Sequence, residues 1–178
     1  RVEGLMGGHS GLNIHEGRAN AVRLCAAATQ RALEASKQSN IGDDANAAVL
    51  ISISGGDKHN AIPREASAIL SVTSSGAKNI IEESVQASAA AALEEFGLLE
   101  QNLSIQVKDA EASNNNVKPL DNTSTERLLS VLLALTHGPI KYSHALPNLV
   151  ETSNNLASVS APADSTSATI LCSSRSSI

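Results

Sequence analysis

Two glycine-rich stretches carry the residue types that could contact a polar ligand. The first, residues 7–21, reads GGHSGLNIHEGRANA, and the second, residues 55–66, reads GGDKHNAIPREA. Glycine lets a backbone turn tightly or approach a ligand closely, and His, Asn and Arg side chains can donate hydrogen bonds to a carbonyl or an anion. The same glycines are also typical of ordinary tight turns, so the residues alone leave both interpretations open.

The sequence does not predict a metal centre or a catalytic nucleophile. No two histidines are spaced i, i+4 as on a zinc-binding helix, and there is no Cys-x-x-Cys pair; the histidines are at positions 9, 15, 59, 137 and 144. A two-metal hydrolytic centre needs about five converging His, Asp and Glu ligands, and the scattered acidic residues do not supply them. Cys25 lies on the apolar face of a predicted helix and Cys172 in a predicted strand, so both are expected to be core residues.

The composition excludes several classes of function. The net charge is −5, with 13 basic and 18 acidic residues among 178, and without a basic run neither nucleic acid nor an anionic membrane is an expected partner. No apolar run is long enough for a transmembrane helix. The chain has one Tyr, one Phe and no Trp, whereas 27 Ala and 25 Ser make up 29% of it. The core must therefore be built from Ala, Val, Ile and Leu.

Hydrophobic spacing predicts the elements that position the two loops. The helix over 17–36 buries one apolar stripe, and the helix over 77–96 does the same before Gly97, a suitable C′ residue. Alternation predicts strands within 1–6 and over 47–54, 66–73 and 103–107; in the second of these, Val49, Ile51 and Ile53 share a face. Residues 37–46 and 109–122 are polar connections. A capping box at 123–126 begins a third helix that Gly138-Pro139 ends, and two strands near 149–160 and 166–174 flank a turn at 162–164.

This order predicts an α+β fold with helices on one face of an antiparallel sheet. Residues 1–108 form a split β-α-β-β-α-β core, 109–122 a linker, and 123–178 an added helix and strand pair. Arg1 and Ile178 do not resemble natural termini, so we expect residues 1–178 to be one domain of a longer protein.

The two glycine-rich stretches closely resemble motifs of the aminoacyl-histidine dipeptidases (peptidase D type), the bacterial cytosolic branch of the carnosinase-like zinc metallopeptidases. The matching motifs are GGHSG-x-x-IH-x-GR-x-NA and GG-x-x-x-NAIPREA. Residues 150–156 (VETSNNL) and 170–176 (ILCSSRS) resemble the family's VETS-x-N run and its late strand ending in Arg-Ser.

The resemblance implies a lid domain without its catalytic domain. Enzymes of this family have a catalytic domain that holds two zinc ions and a general-base Glu, and a lid inserted into that domain closes over the dipeptide. The chain resembles the lid alone, so the metal ligands are expected to lie outside it and the fragment by itself is expected to be inactive and to bind no cofactor. A cytoplasmic enzyme of Xaa-His specificity is implied for the parent.

The resemblance also assigns three substrate-contacting residues. His9 matches the His that polarises the scissile carbonyl as an oxyanion donor, and Asn60 matches the Asn that hydrogen-bonds the substrate backbone. Arg175 is the candidate for the Arg that binds the substrate's terminal carboxylate, a role suited to its planar guanidinium. Arg18 and Arg64 are expected to orient the loops as ion-pair partners, and the role of His15 stays open. The other three histidines are expected at the surface: His59, His137 and His144.

Two alternatives remain beside the lid interpretation. Related lids pair edge strands across a twofold axis, so the chain could serve mainly as a dimerisation module and form a homodimer. It could also be a stand-alone small α+β binding domain.

Overall fold

The computed structural model describes residues 1–39, 47–110, 118–163 and 165–177. Within these residues the chain folds into strands and three α-helices, with one 3₁₀ turn at Ile14–Glu16. In chain order the elements are β1 (Val2–Glu3), β2 (Gly8–His9), α1 (Ala21–Gln38), β3 (Ala48–Gly55), β4 (Ala61–Ile62), β5 (Ala66–Val72), α2 (Ser75–Phe96), β6 (Ser104–Ile105), α3 (Asn122–Ala134), β7 (Gly138–Tyr142), β8 (Val150–Ala161) and β9 (Thr169–Ser176).

An antiparallel sheet of the order β6-β1-β5-β3-β8-β7 forms the frame, and β9 pairs with β8 along most of its length. The helices cover one face of this sheet, and the core lies between them. This confirms the predicted α+β class. The C-terminal strands join the same sheet, because residues 159–161 of β8 pair with residues 53–55 of β3.

The first two helices bury the predicted stripes. In α1 the buried positions include Val22, Cys25, Ala26, Thr29 and Leu33. The helix begins at Ala21 and not at 17, because Gly17 (φ 72°) ends the preceding 3₁₀ turn and the Asn20 side chain then caps the helix by accepting the N–H groups of Val22 and Arg23. An Asn cap satisfies amide groups that have no partner within the helix.

The second helix was predicted to share one face among Ile81, Val85, Ser88, Ala92 and Phe96. Of these, Ile81, Ser88 and Ala92 are buried, and Val85 and Phe96 are partly buried against the core. Gly97 does follow its last residue, but with right-handed backbone angles (φ −60°, ψ −22°), and its N–H donates to the Leu93 carbonyl. Gly97 is therefore the C-cap residue of α2 and not the predicted C′ residue.

Strand β3 departs from the predicted alternation. The pairing of β3 with β5 shifts between Leu50 and Ser52, and such a bulge changes which side chains face the core. Leu50 and Ile53 are therefore both fully buried, whereas Val49 and Ile51 are only half-buried. The expectation that Val49, Ile51 and Ile53 share one face of the strand was wrong.

The C-terminal third differs most from the sequence-based expectation. Helix α3 is capped by Asp121, whose carboxylate accepts the Ser124 N–H at 2.9 Å, so the predicted capping box at 123–126 was wrong. Residues 138–142 form strand β7 and not merely a helix stop.

The strand predicted over 103–107 covers only Ser104–Ile105. Parts of the predicted connections, at 40–46, 111–117 and 164, lie outside the described residues.

Candidate functional site

A small second sheet brings the two glycine-rich stretches together. Strand β2 pairs with β4, with Gly8 opposite Ile62 and His9 opposite Ala61. The pairing continues beyond the strands, because the Ser10 N–H donates to the Asn60 carbonyl at 2.8 Å. Two segments about 50 residues apart in sequence are thereby held side by side. His9 ends β2, and Asn60 lies in the turn directly before β4.

Hydrogen bonds within the first loop orient the His9 ring. The backbone N–H of His9 donates to Asn13 Oδ1 at 3.0 Å, and the backbone N–H of Gly11 donates to the ring nitrogen His9 Nδ1 at 3.0 Å. Because Nδ1 accepts this bond, the neutral ring carries its proton on Nε2. His9 is half-buried, so the loop presents an imidazole whose Nε2–H is the group able to donate to a ligand.

Arg175 reaches the same loop from strand β9. A Cβ atom placed on Gly11 would lie 2.9 Å from Cζ and Nη1 of Arg175 and 3.1 Å from Cε1 of His9. The guanidinium and the imidazole therefore both lie against Gly11, on the side where a Cβ atom would project. The three sequence-predicted residues come from three separate parts of the chain and meet around Ser10 and Gly11.

The structure decides between the two interpretations that the sequence leaves open for the glycine pair at 7–8. Both glycines have positive φ (61° and 142°), and a Cβ on either would collide with an arginine side chain, Arg64 at Gly7 and Arg18 at Gly8. The space above these glycines is occupied by the protein itself. Close approach of this backbone to a ligand, as the motif first suggested, is therefore not what these two glycines provide.

Arg18 and Arg64 support the loop. Arg18 forms an ion pair with Glu16 at 2.6 Å and donates to the Gly7 carbonyl, and hydrogen bonds from Asn13 and Arg18 hold the pKa of Glu16 below its usual value. Arg64 Nε donates to the Leu5 carbonyl at 3.1 Å. The expectation of an orienting ion pair is confirmed for Arg18, while Arg64 orients the loop through a backbone carbonyl. His15 is exposed.

A residue that the sequence reasoning did not single out holds the second loop. Asn155, on β8, is 1% exposed, and its Nδ2 donates to the His59 carbonyl at 3.2 Å and the Ala61 carbonyl at 2.8 Å. These two carbonyls flank Asn60, so Asn155 fixes the turn that carries it. The polar run at 151–155 inside a long strand was the available signal, since buried polar side chains in a strand need partners.

Replacing Asn155 by Asp is expected to lower the free energy of unfolding by about 2–4 kcal/mol. The carboxylate has no N–H to donate and would face two carbonyl oxygens inside the protein, a buried and unpaired charge. Urea denaturation of the 178-residue chain measures the change, with the exposed Asn102→Asp as the control that keeps its stability. Equal stability of Asn155→Asp and the unsubstituted chain would contradict the assigned role.

The other reactive side chains belong to different surroundings. Cys25 packs in the hydrophobic core, which confirms the prediction, and its burial raises the pKa of the thiol to about 11. His137 was expected at the surface, but it is half-buried: burial, and secondarily Arg23, lower its pKa to about 4. Its Nδ1 lies 3.2 Å from Asn20 Nδ2, so the neutral ring can accept a hydrogen bond from the residue that caps α1.

The described part of the chain does not fit a metal centre. Among those residues, no group of three or more His, Cys, Asp and Glu side chains is placed to hold an ion. Within the same ranges, no helix combines the length and apolar character that crossing a membrane requires.

Comparisons with known proteins agree with the motifs. The family described as "Peptidase dimerisation domain" matches residues 2–98. The solved structure of aminoacylhistidine dipeptidase from Vibrio alginolyticus superposes with a TM-score of 0.81 at 26% identity, covering 99% of this chain and 33% of that enzyme. No curated protein matches the chain. The chain spans about a third of the length of the enzyme that it resembles. Because the family match covers more than half of the 178 residues, the chain belongs to the peptidase dimerisation domain family.

Proposed function

We propose that the chain is the substrate-closing lid of a dinuclear zinc dipeptidase that hydrolyses Xaa-His dipeptides in the cytoplasm. The observation that carries the proposal is that His9 and Arg175 lie against Gly11 while the Asn60 backbone is hydrogen-bonded to the neighbouring Ser10. It is supported by the similarity of nearly the whole chain to one third of an aminoacylhistidine dipeptidase. In this proposal the lid supplies substrate contacts, and the zinc ligands and the general base come from the rest of the enzyme.

His9 has the chemistry of an oxyanion donor in this proposal. When water attacks the scissile carbonyl, its oxygen becomes negative, and a preorganised N–H aimed at that oxygen stabilises the transition state. His9 Nε2–H is such a donor, because the Gly11 N–H occupies Nδ1 and fixes the tautomer. The backbone of β2 and the Ser10–Asn60 hydrogen bond hold the ring before substrate arrives.

Asn60 and Arg175 would bind the two remaining polar parts of a dipeptide. The Asn60 carboxamide can both donate to and accept from a peptide group, and Asn155 holds its backbone from both sides. Arg175 presents a planar pair of N–H donors that matches a carboxylate, and its position in β9 is fixed by pairing with Ser153. A substrate with a free terminal carboxylate beside its scissile bond satisfies all three residues.

The experiment compares the chain with the full-length enzyme. The 178-residue chain is expected to hydrolyse no carnosine, with or without added zinc, because its described residues form no metal site. The full-length polypeptide is expected to hydrolyse the same dipeptide at a readily measured rate. Turnover by the chain alone that a chelator abolishes would contradict the lid proposal.

Dimerisation is the second candidate function. The matching family is described as a peptidase dimerisation domain. Strand β7 and the loop after it leave large apolar side chains exposed, including Ile140, Tyr142 and Leu146. A strand edge that carries such side chains can pair with a second copy. The two functions are compatible, since a lid can both close over substrate and join two subunits.

A further inference from the structure

Glu100 is a fully buried acidic residue that the proposed chemistry does not use. It lies four residues after the end of α2, and 0% of it is exposed. A buried carboxylate is costly unless hydrogen bonds replace its lost water. Its partners therefore indicate what the residue does.

Both carboxylate oxygens of Glu100 accept backbone N–H groups from a distant part of the chain. Oε2 accepts the Met6 N–H at 2.7 Å, and Oε1 accepts the Ala19 N–H at 3.1 Å. An ionised carboxylate offers only acceptors, which suits two donors. Met6 and Ala19 bracket residues 7–18, so one side chain closes both ends of the loop that carries His9.

The carboxylate is itself held by the end of α2. The Glu100 N–H donates to the Phe96 carbonyl at 2.8 Å, and the Glu100 carbonyl accepts the Leu103 N–H at 3.0 Å. These bonds fix the backbone from which the side chain projects. The loop ends are thus tied to the turn that follows α2, and the hydrogen bond to Phe96 joins that turn to the last residue of the helix.

We propose that Glu100 is a positioning residue. By closing both ends of the loop at residues 7–18, it holds the His9 imidazole in the position from which Nε2–H can donate. The effect on catalysis rests on the proposed function of His9, whereas the effect on the loop does not. Glu100→Gln isolates the role, because the amide has nearly the same size but only one acceptor oxygen. It can serve one of the two backbone N–H groups and turns its own NH₂ group toward the other.

The first test measures amide hydrogen exchange by NMR in the 178-residue chain. In Glu100→Gln, exchange of the Ser10 N–H should accelerate at least about tenfold more than exchange of the core Leu50 N–H, as expected for losing a buried hydrogen bond that holds one loop. Glu94→Gln, an exposed change on α2, should change neither. Leu132→Ala, in the core at α3, should accelerate both amides alike, because it weakens the whole fold. Equal acceleration of both amides in Glu100→Gln would overturn the proposal.

The second test is a double-mutant cycle in the full-length enzyme. Glu100→Gln should lower kcat about tenfold and leave KM within a few-fold, but in a His9→Ala background it should lower kcat by less than about twofold. A tenfold loss of kcat in both backgrounds would show that Glu100 does not act through His9. That result would overturn the proposed effect of Glu100 on catalysis. An unchanged kcat in His9→Ala alone would instead overturn the function proposed for His9, and the exchange measurement would still decide whether Glu100 closes the loop.

Discussion

His9→Ala in the full-length enzyme is expected to lower kcat by about 100- to 1,000-fold and to leave KM within a few-fold. Removing one oxyanion donor typically has an effect of this size, because the bond strengthens as negative charge develops on the carbonyl oxygen. In the structure the ring is held by the Gly11 N–H on Nδ1, which leaves Nε2–H to donate. The loss should therefore fall on the chemical step and not on binding.

Two controls separate this role from its alternatives. His15→Ala removes an exposed imidazole from the same loop and should leave kcat within about twofold of the unsubstituted enzyme. Metal analysis of His9→Ala should give the same zinc content as the unsubstituted enzyme, since His9 is not a zinc ligand in this proposal. Loss of zinc from the variant would mean that His9 binds metal, and normal zinc with normal kcat would mean that the loop is only a turn.

The regular elements were predictable because hydrophobic spacing is a local property. Helices α1 and α2 bury the positions that their 3.6-residue period selects, and β3, β5, β8 and β9 lie close to the predicted ranges. The errors arose where tertiary contacts override local pattern. The bulge after Leu50 depends on pairing with β5, and β7 exists because Gly138–Tyr142 pairs with the first half of β8.

The residues of the candidate site differ in the same way, because some stand in recognisable sequence motifs and others act through tertiary contacts. His9, Asn60 and Arg175 stand in motifs that can be recognised along the sequence, and the structure places them around one loop. Asn155 and Glu100, which hold those loops, act on residues about 80–95 positions away. The polar run around Asn155 signals that its side chain needs partners, but neither that run nor a lone Glu after a helix identifies those partners. Their roles required the fold.

Arg175→Lys in the full-length enzyme is expected to raise KM for carnosine about 10- to 100-fold with a smaller change in kcat. Lysine keeps the positive charge but replaces the planar two-donor fork with a single ammonium group, so a bidentate contact to the carboxylate is lost. Charge-assisted hydrogen bonds of this kind contribute about 1.5–3 kcal/mol, which sets the range. Steady-state kinetics of the variant and the unsubstituted enzyme measure it.

The sharpest control for Arg175 is a change in the substrate. Carnosine amide lacks the terminal carboxylate, so the unsubstituted enzyme should bind the amide as weakly as the Arg175→Lys enzyme binds carnosine. With the amide as substrate, Arg175→Lys should change the kinetic constants by no more than about twofold. Arg31→Lys, an exposed change on α1, should leave both substrates unaffected. If Arg175→Lys weakened binding of carnosine and of its amide to the same extent, Arg175 would be holding the Gly11 loop and not the substrate's carboxylate, because only a carboxylate contact distinguishes the two ligands.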